Sequence, residues 1–301
     1  MLSEQPLRNI GERIWLIGGT TESVQLARSL VSISLPCTVS VTTVAAKALY
    51  PKTPLLRIRV GRLDAEQLEQ FLQEHQIAAI LDASHPYAVE ISQLAIRAAS
   101  RRRIPYLRFE RPVVVPQSDT QPIIFLDSFE ALLAGDYLYQ QRVLLTVGYK
   151  ALQLFQDWQD KSTLFARILP ALASLEAATK AGFSSERIIA LRPPVSAELE
   201  KALWHHWDIS LVVTKASGTA GGEDIKRAVA AELGIPLIVI TRPVVDYPQQ
   251  TSDLSVAIEF CRNVVSEFFL TGGMGEQGGQ GMQGEIGFPE NENTASHNLD
   301  G

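Results

Sequence analysis

"RIWLIGGTTESVQLARSLVS", Arg13 to Ser32, decides the fold. Ile14 to Ile17 form a short apolar run that halts at Gly18-Gly19. The stretch that follows places Val24, Ala27, Leu30 and Val31 on one helical face. Strand, glycine turn and helix in that order open a βα unit.

Working outward, the alternation continues. "CTVSVTTVA" is a β-branched strand and "LLRIRV" a shorter, more exposed one. "DAEQLEQFLQEHQ" starts on an acidic N-cap and carries Leu68, Phe71 and Leu72 at helical spacing. "IAAILDA" is a strand, "AVEISQLAIRAASRRR" a helix and "IPYLRFERP" a strand. The pattern restarts with "RVLLTVG", a helical "YKALQLFQDW", the strand "STLFARILP" and a helix closed by Gly182. "RIIAL", "SAELEKALWHHW", "ISLVVTKAS", "GGEDIKRAVAAELG" and "IPLIVITRP" complete the second set, and a last helix spans about 253–269. Apolar strands alternating with helices predict an α/β fold of two Rossmann-like domains with mainly parallel sheets. The expected bounds are 10–130 and 137–269, followed by a disordered Gly-rich tail at 271–301. The motif Ile-Pro, five residues, Arg-Pro occurs twice, from Ile104 and from Ile235. Each copy follows a helix that follows a strand ending in Ala-Ser, which suggests two copies of one unit.

The net charge of −6 is local. Residues 271–301 hold five acids and no Lys or Arg, leaving a body of 27 basic and 28 acidic residues. No basic field for nucleic acid exists, although clusters of Arg and Lys can still gather around an anionic ligand. Cys37 and Cys261 lack metal-like spacing and read as thiols in a reducing compartment, so no metal is expected. The N-terminus has no apolar signal region and no run of about 18 apolar residues occurs. A cytoplasmic monomer without a membrane partner is expected.

Three turns carry candidate chemistry. In "LIGGTTES" a glycine pair between strand and helix lets backbone N–H groups approach a phosphate. Glu22 stands where the full dinucleotide fingerprint has its third glycine, so a plain turn capped by Thr20 or Thr21 is the alternative. The second strand ends in Thr42 and Thr43, with Lys47 downstream and no acid to hold a ribose 2′-hydroxyl, which suits NADPH better than NADH. In "LDASHPYAVE", Leu81 to Glu90, an apolar strand ends in Asp82, Ser84, His85 and Tyr87, at the strand end where such sheets place ligands. Either the turn is a helix cap built from Ser84, His85 and Pro86, or His85 and Tyr87 face a ligand and His85 can supply a proton near neutral pH. In "VTKASGTAGGED", Ser217, Gly218, Gly221 and Gly222 can form an anion-binding nest beside Lys215, or a flexible loop before a helix. Arg108, Arg111, Arg167, Arg192 and Arg242 stand at strand ends, either snorkelling or holding carboxylates. "WHHW", Trp204 to Trp207, points its histidines about 100° apart and reads as packing or surface.

"GGTTES", "DASHPYA", "RFERP", "ARILP", "TKASGTAGG" and "ITRP" come in an order and spacing that resemble the precorrin-6A reductase family of cobalamin biosynthesis, over roughly Arg13 to Arg262. The departures are Ser84, where the family pattern has Thr, and Ala216, where the residue after Lys is often polar. The resemblance implies two Rossmann-like domains with the site between them. It also implies reduction of one ring double bond of precorrin-6A, or its cobalt-bearing equivalent, by a nicotinamide cofactor. On that reading His85 and Tyr87 are the candidate catalytic residues. Gly18, Gly19, Thr20, Thr21, Glu22, Thr42, Thr43 and Ser84 are candidates for NADPH, with NADH the second choice. Arg111, Arg167, Lys215, Ser217, Gly218, Gly221, Gly222 and Arg242 are candidates for the tetrapyrrole substrate. The rival readings are a Rossmann-type methyltransferase or nucleotide-sugar transferase, which would usually want an acid on strand two, and a two-lobed anion-binding protein, which is usually exported.

Overall fold

The computed structural model of the chain describes residues 13–112 and 123–271; the expected tail lies, but for Thr271, outside them. The first sheet opens with β1 (Arg13–Ile17), β2 (Cys37–Val41), β3 (Leu56–Val60), β4 (Ile77–Asp82) and β5 (Tyr106–Phe109). Between them run α1 (Thr21–Ser32), α2 (Val44–Lys47), α3 (Ala65–Glu74) and α4 (Val89–Arg102). Then come β6 (Ile123–Leu126), α5 (Phe129–Ala134) and β7 (Arg142–Thr146), followed by a 3₁₀ segment at Tyr149–Trp158 where the sequence predicts a helix. The second set continues with β8 (Thr163–Ile168), α6 (Leu172–Lys180), β9 (Ile188–Ala190), α7 (Ala197–His206), β10 (Leu211–Lys215), α8 (Glu223–Leu233) and β11 (Leu237–Ile240). The described residues end with β12 (Gln250–Thr251) and α9 (Leu254–Thr271).

Local chemistry accounts for the helix starts. Thr20 and Ser23 form a capping box on α1, and Asp64 and Gln67 another on α3. β1, β2 and β4 are buried along their whole length because helices cover both faces of the sheet. One face packs Ile14 and Leu16 on Leu26 and Leu30 of α1, and the other packs Trp15 and Ile17 on Leu68 and Phe71 of α3.

The strand orders are β12-β5-β4-β1-β2-β3 and β6-β11-β10-β7-β8-β9, and every pairing is parallel. Each sheet therefore has the doubly wound order, with a switch point at β1/β4 in the first and β7/β10 in the second. The repeated Ile-Pro motif marks β5 and β11, which hold the same place in the two sheets.

The sheets trade their sixth strands. β6 leaves the first set to pair with β11, and β12 returns from the second to pair with β5. Behind β12, α9 buries Ala257 and Cys261 in the core of the first half. The sequence bounds 10–130 and 137–269 do not follow sheet membership, because a strand joins whichever edge satisfies its backbone, not its nearest neighbour in the chain. The chain divides into compact units at Met1–Val265 and Ser266–Gly301, and both sheets lie in the first.

Candidate active site

The turn after β1 is built tightly. A methyl group on Gly18 would collide with Oη of Tyr50 and lie 2.8 Å from Cγ1 of Val39. Gly19, at φ +104°, takes a conformation that disfavours side chains. Its N–H donates to Tyr50 Oη at 2.9 Å, and the N–H of Gly18 donates to the carbonyl of Ser40 at 2.9 Å. Both glycine N–H groups are thus engaged within the protein, contrary to the sequence expectation that they meet a phosphate. What the pair provides is close approach; free donors at this turn would come from the first N–H groups of α1, at Thr21 and Glu22. Thr20 is also structural: its hydroxyl donates to the carbonyl of Ala83 at 2.8 Å, tying the β1 turn to the β4 turn across the switch point.

The four polar residues at and just after the end of β4 divide their labour. Asp82 is fully buried. Its carboxylate accepts from Arg108 Nη1 at 2.9 Å, Tyr106 Oη at 2.7 Å, Ser92 Oγ at 2.6 Å and the N–H of Ser84 at 3.0 Å. Arg108 Nη1 also donates to Ser84 Oγ at 3.0 Å, so Ser84 is held in the floor of the turn. This is why α4 starts only at Val89, with Ala88 as an N-cap that offers no side chain, and not at the Ser84-His85-Pro86 cap that the sequence suggests.

His85 projects into the cleft. Its Nδ1 accepts from the N–H of Tyr87 at 3.3 Å, which leaves the ring proton on Nε2. Desolvation by the surrounding protein, then the positive charges of Arg111, Lys215, Arg108 and Arg242, push the imidazole down to about 4. The ring itself is exposed, so desolvation acts through the cleft walls rather than by enclosure, and the cations reinforce its direction. A neutral imidazole at pH 7 is a hydrogen-bond donor through Nε2, not the imidazolium acid read from the sequence.

Tyr87 also departs from its expected role. Its hydroxyl donates to the carbonyl of Ile240 at 2.5 Å, with that of Thr241 at 3.0 Å, and accepts from the N–H of Ala216 at 3.0 Å. The phenol is a latch between the halves, and burial raises its pKa further, so it is poorly placed to release a proton.

A cavity of about 340 Å³ opens at the β1/β4 switch point. Gly18 and Gly19, Thr42, Gly61 and Arg62, and Ser84, His85 and Tyr87 contribute to it from the four strand ends, with Glu90 beside them and Lys150 reaching in from the second half. Thr42 lines the cavity. Thr43 instead caps α2, its Oγ1 accepting from the N–H of Ala46 at 3.1 Å. The sequence reading missed Tyr50, Arg62 and Lys150. The signals for the last two were a glycine ending each preceding strand, in "RIRVGR" and "LTVGYK".

The arginines expected to meet carboxylates are engaged with the protein. Arg111 donates to Glu22 at 2.9 Å and to the carbonyl of Ser217 at 2.9 Å. Arg242 donates to Glu110 at 2.7 Å and to the carbonyls of Ala216 and Arg111 at 2.8 Å each. Both join the halves. Arg167 pairs with the buried Glu200 inside the second half. The Ser217–Gly222 loop does form a nest, but the buried carboxylate of Glu223 accepts the N–H of Gly218 at 2.8 Å, so the protein supplies its own anion. Gly218 permits the contact between halves: a methyl there would lie 3.0 Å from Arg111 Cδ. Gly221 avoids a collision with Ser217 Oγ, and Gly222, at φ +66°, leads into α8. Trp204 is buried with its Nε1 donating to Glu200 at 3.1 Å, and Trp207 stacks on Phe165 at 4.6 Å, so "WHHW" is a packing element.

The family described as precorrin-6x reductase CbiJ/CobK matches residues 13–262. The chain belongs to the precorrin-6x reductase family. Among the relatives of this reductase chain, the cobalt-precorrin-6A reductase of a Synechocystis strain is 47% identical over 83% of the chain and 95% of the relative. That of Priestia megaterium is 34% identical over 78% and 92%. A solved precorrin-6A reductase, CobK, shares the fold at a TM-score of 0.69 and 24% identity, covering 84% of this chain and 97% of its own. Among the described residues no helix is long and apolar enough to cross a membrane.

Proposed function

We propose that the chain reduces precorrin-6A, or its cobalt-bearing counterpart, to the 6B product in corrin ring biosynthesis, taking hydride from a nicotinamide cofactor. Family membership supports the reaction class. The observation that carries the reading is the cavity at the β1/β4 switch point, where doubly wound sheets hold such ligands, walled by Gly18 and Gly19 on one side and by His85 on the other.

The residues fit the cofactor. The open space where a Cβ of Gly19 would stand lets a ligand approach the turn, Gly18 making room for Tyr50 and Val39 instead, and the start of α1 offers the N–H groups of Thr21 and Glu22 to its phosphates. Thr42 and Arg62 close the far wall, and no acid ends β2, which favours NADPH over NADH. A bound nicotinamide supplies the hydride. The protein orients the macrocycle, balances its carboxylates and admits one proton. Neutral His85 donates from Nε2 to the macrocycle beside the accepting carbon, and the proton arrives from water. Tyr87, Arg111 and Arg242 hold the second half against the first so that the two ligands meet at one face. We assign no proton transfer to Tyr87.

A thermal-shift panel with NADPH, NADH, S-adenosylmethionine and UDP tests the reading. Stabilisation by a nicotinamide alone is expected. A response only to S-adenosylmethionine or UDP would favour the transferase reading.

A further inference from the structure

Sorting the cleft cations by their partners separates two groups. Arg108, Arg111 and Arg242 each face a carboxylate, from Asp82, Glu22 and Glu110 respectively. Lys150 and Lys215 face none: among the described residues neither ammonium group makes a hydrogen bond or ion pair. Lys215 Nζ instead sits over two rings, 4.6 Å from the centroid of Tyr87 and 5.6 Å from that of Phe129. Lys150 is exposed and reaches into the cavity whose other lining residues all come from the first half.

We propose that Lys150 and Lys215 form a two-ammonium clamp for carboxylate side chains of the macrocycle, a role that rests on the reductase reading above. The two come from equivalent places in the second half. Lys215 ends β10 and Lys150 follows Gly148 after β7, so they flank the β7/β10 switch point as His85 and Gly19 flank that of the first half. The second half thus keeps the geometry of a ligand site while its own nest is filled by Glu223. The clamp faces the first-half cavity from across the cleft.

The two ammonium groups feel one another. Lys215 is pushed down to about 8 by desolvation and then by the charge of Lys150. Two unneutralised cations within reach of each other repel, and an anion between them relieves that repulsion. Lys215 stands beyond the cavity lining, on the second-half side, which points to the second ligand's carboxylates rather than to cofactor phosphates.

The test uses Lys150→Met, Lys215→Met, the double variant and Lys150→Arg, each melted first to establish folding. Steady-state kinetics with precorrin-6A and with cobalt-precorrin-6A are read beside the Kd for NADPH, measured by fluorescence. Each single Met variant should raise the macrocycle KM about tenfold, the loss of one charge-assisted hydrogen bond. Lys150→Arg should recover most of that loss. The kcat and the NADPH Kd should stay within about twofold, which is close to the scatter of neutral surface changes. A rise in the NADPH Kd with an unchanged macrocycle KM would assign the lysines to phosphate and overturn the clamp. So would kinetics unchanged in the double variant, which would make them solvated surface groups. If the unmodified protein binds NADPH yet turns over neither macrocycle, the reductase reading fails and the clamp with it.

Discussion

The hydroxyl of Tyr87 lies 2.5 Å from the carbonyl oxygen of Ile240, so a residue two positions past His85 is bonded to the end of β11 in the other half. The turn that carries the cleft imidazole is therefore also a fastening, and a change at Tyr87 acts on the relation between halves before it acts on chemistry.

Replacing Tyr87 by Phe removes this bond, while the N–H of Ala216 keeps its other acceptor, the carbonyl of Ile240 at 2.9 Å. The expected cost is about 0.5–1.5 kcal/mol of stability, the net worth of one hydrogen bond. A lower unfolding midpoint with near-normal NADPH affinity is expected from denaturant titration. An unchanged midpoint with activity reduced as far as in a His85 variant would return the phenol to the reacting groups.

Asp82 should matter more to stability than any other residue of the turn. Asp82→Ala leaves Tyr106 and the N–H of Ser84 without their acceptor, Ser92 with the 3.4 Å contact to Ser84 Oγ, and Arg108 with Glu110 as its remaining carboxylate. Removing one side of a buried ion pair typically costs about 3–5 kcal/mol. Urea unfolding of the purified variant measures it, and a loss below about 1 kcal/mol, the size of one ordinary hydrogen bond, would contradict the described network.

His85 carries a pH signature. Its folded value of about 4 lies below the ordinary 6.5, so between those limits the unfolded chain binds a proton that the folded protein refuses. Stability should fall as pH drops from about 6.5 to about 4, and His85→Gln should flatten that limb. Melting both proteins across this range decides it, and parallel acid limbs would contradict the assignment. In the same variant series, His85→Ala should lower kcat/KM about tenfold to a hundredfold while barely moving the cofactor Kd, the effect of losing one positioning hydrogen bond.

Arg62 should set cofactor choice. It lines the cavity beside Thr42, and its guanidinium makes no ion pair among the described residues. Arg62→Ala should weaken NADPH about tenfold to a hundredfold, the range of one or two charge-assisted hydrogen bonds, and leave NADH unchanged. Equal losses for both, or tighter NADH binding by the unmodified protein, would remove the 2′-phosphate from this wall.

Much of this was legible in the sequence. Apolar strands bounded by glycine turns gave the two α/β sets, and the repeated Ile-Pro motif located the fifth strand of each. The exchange of edge strands was not legible, because β12 is the polar dipeptide Gln250–Thr251 and carries no apolar signal. His85 stands in the cleft, at the place after a strand to which the sequence pointed. The opposite roles of Tyr87 and the arginines were hidden, because their partners lie at the far end of the chain: Arg242 meets Glu110, and Tyr87 meets Ala216 and Ile240. A strand-end cation reads the same in sequence whether it awaits a ligand or is already paired. Among the described residues Arg62, Lys150 and Lys215 face the cleft without an ion pair, and of these the sequence singled out Lys215.

The most direct measurement is an anaerobic single-turnover reaction of the purified protein with NADPH and, in parallel, precorrin-6A and cobalt-precorrin-6A. The account predicts that one of these macrocycles gains two hydrogen atoms by mass as an equal amount of nicotinamide is oxidised, and that His85→Ala slows that step. Nicotinamide left unoxidised with both macrocycles, and again with NADH in place of NADPH, would contradict it.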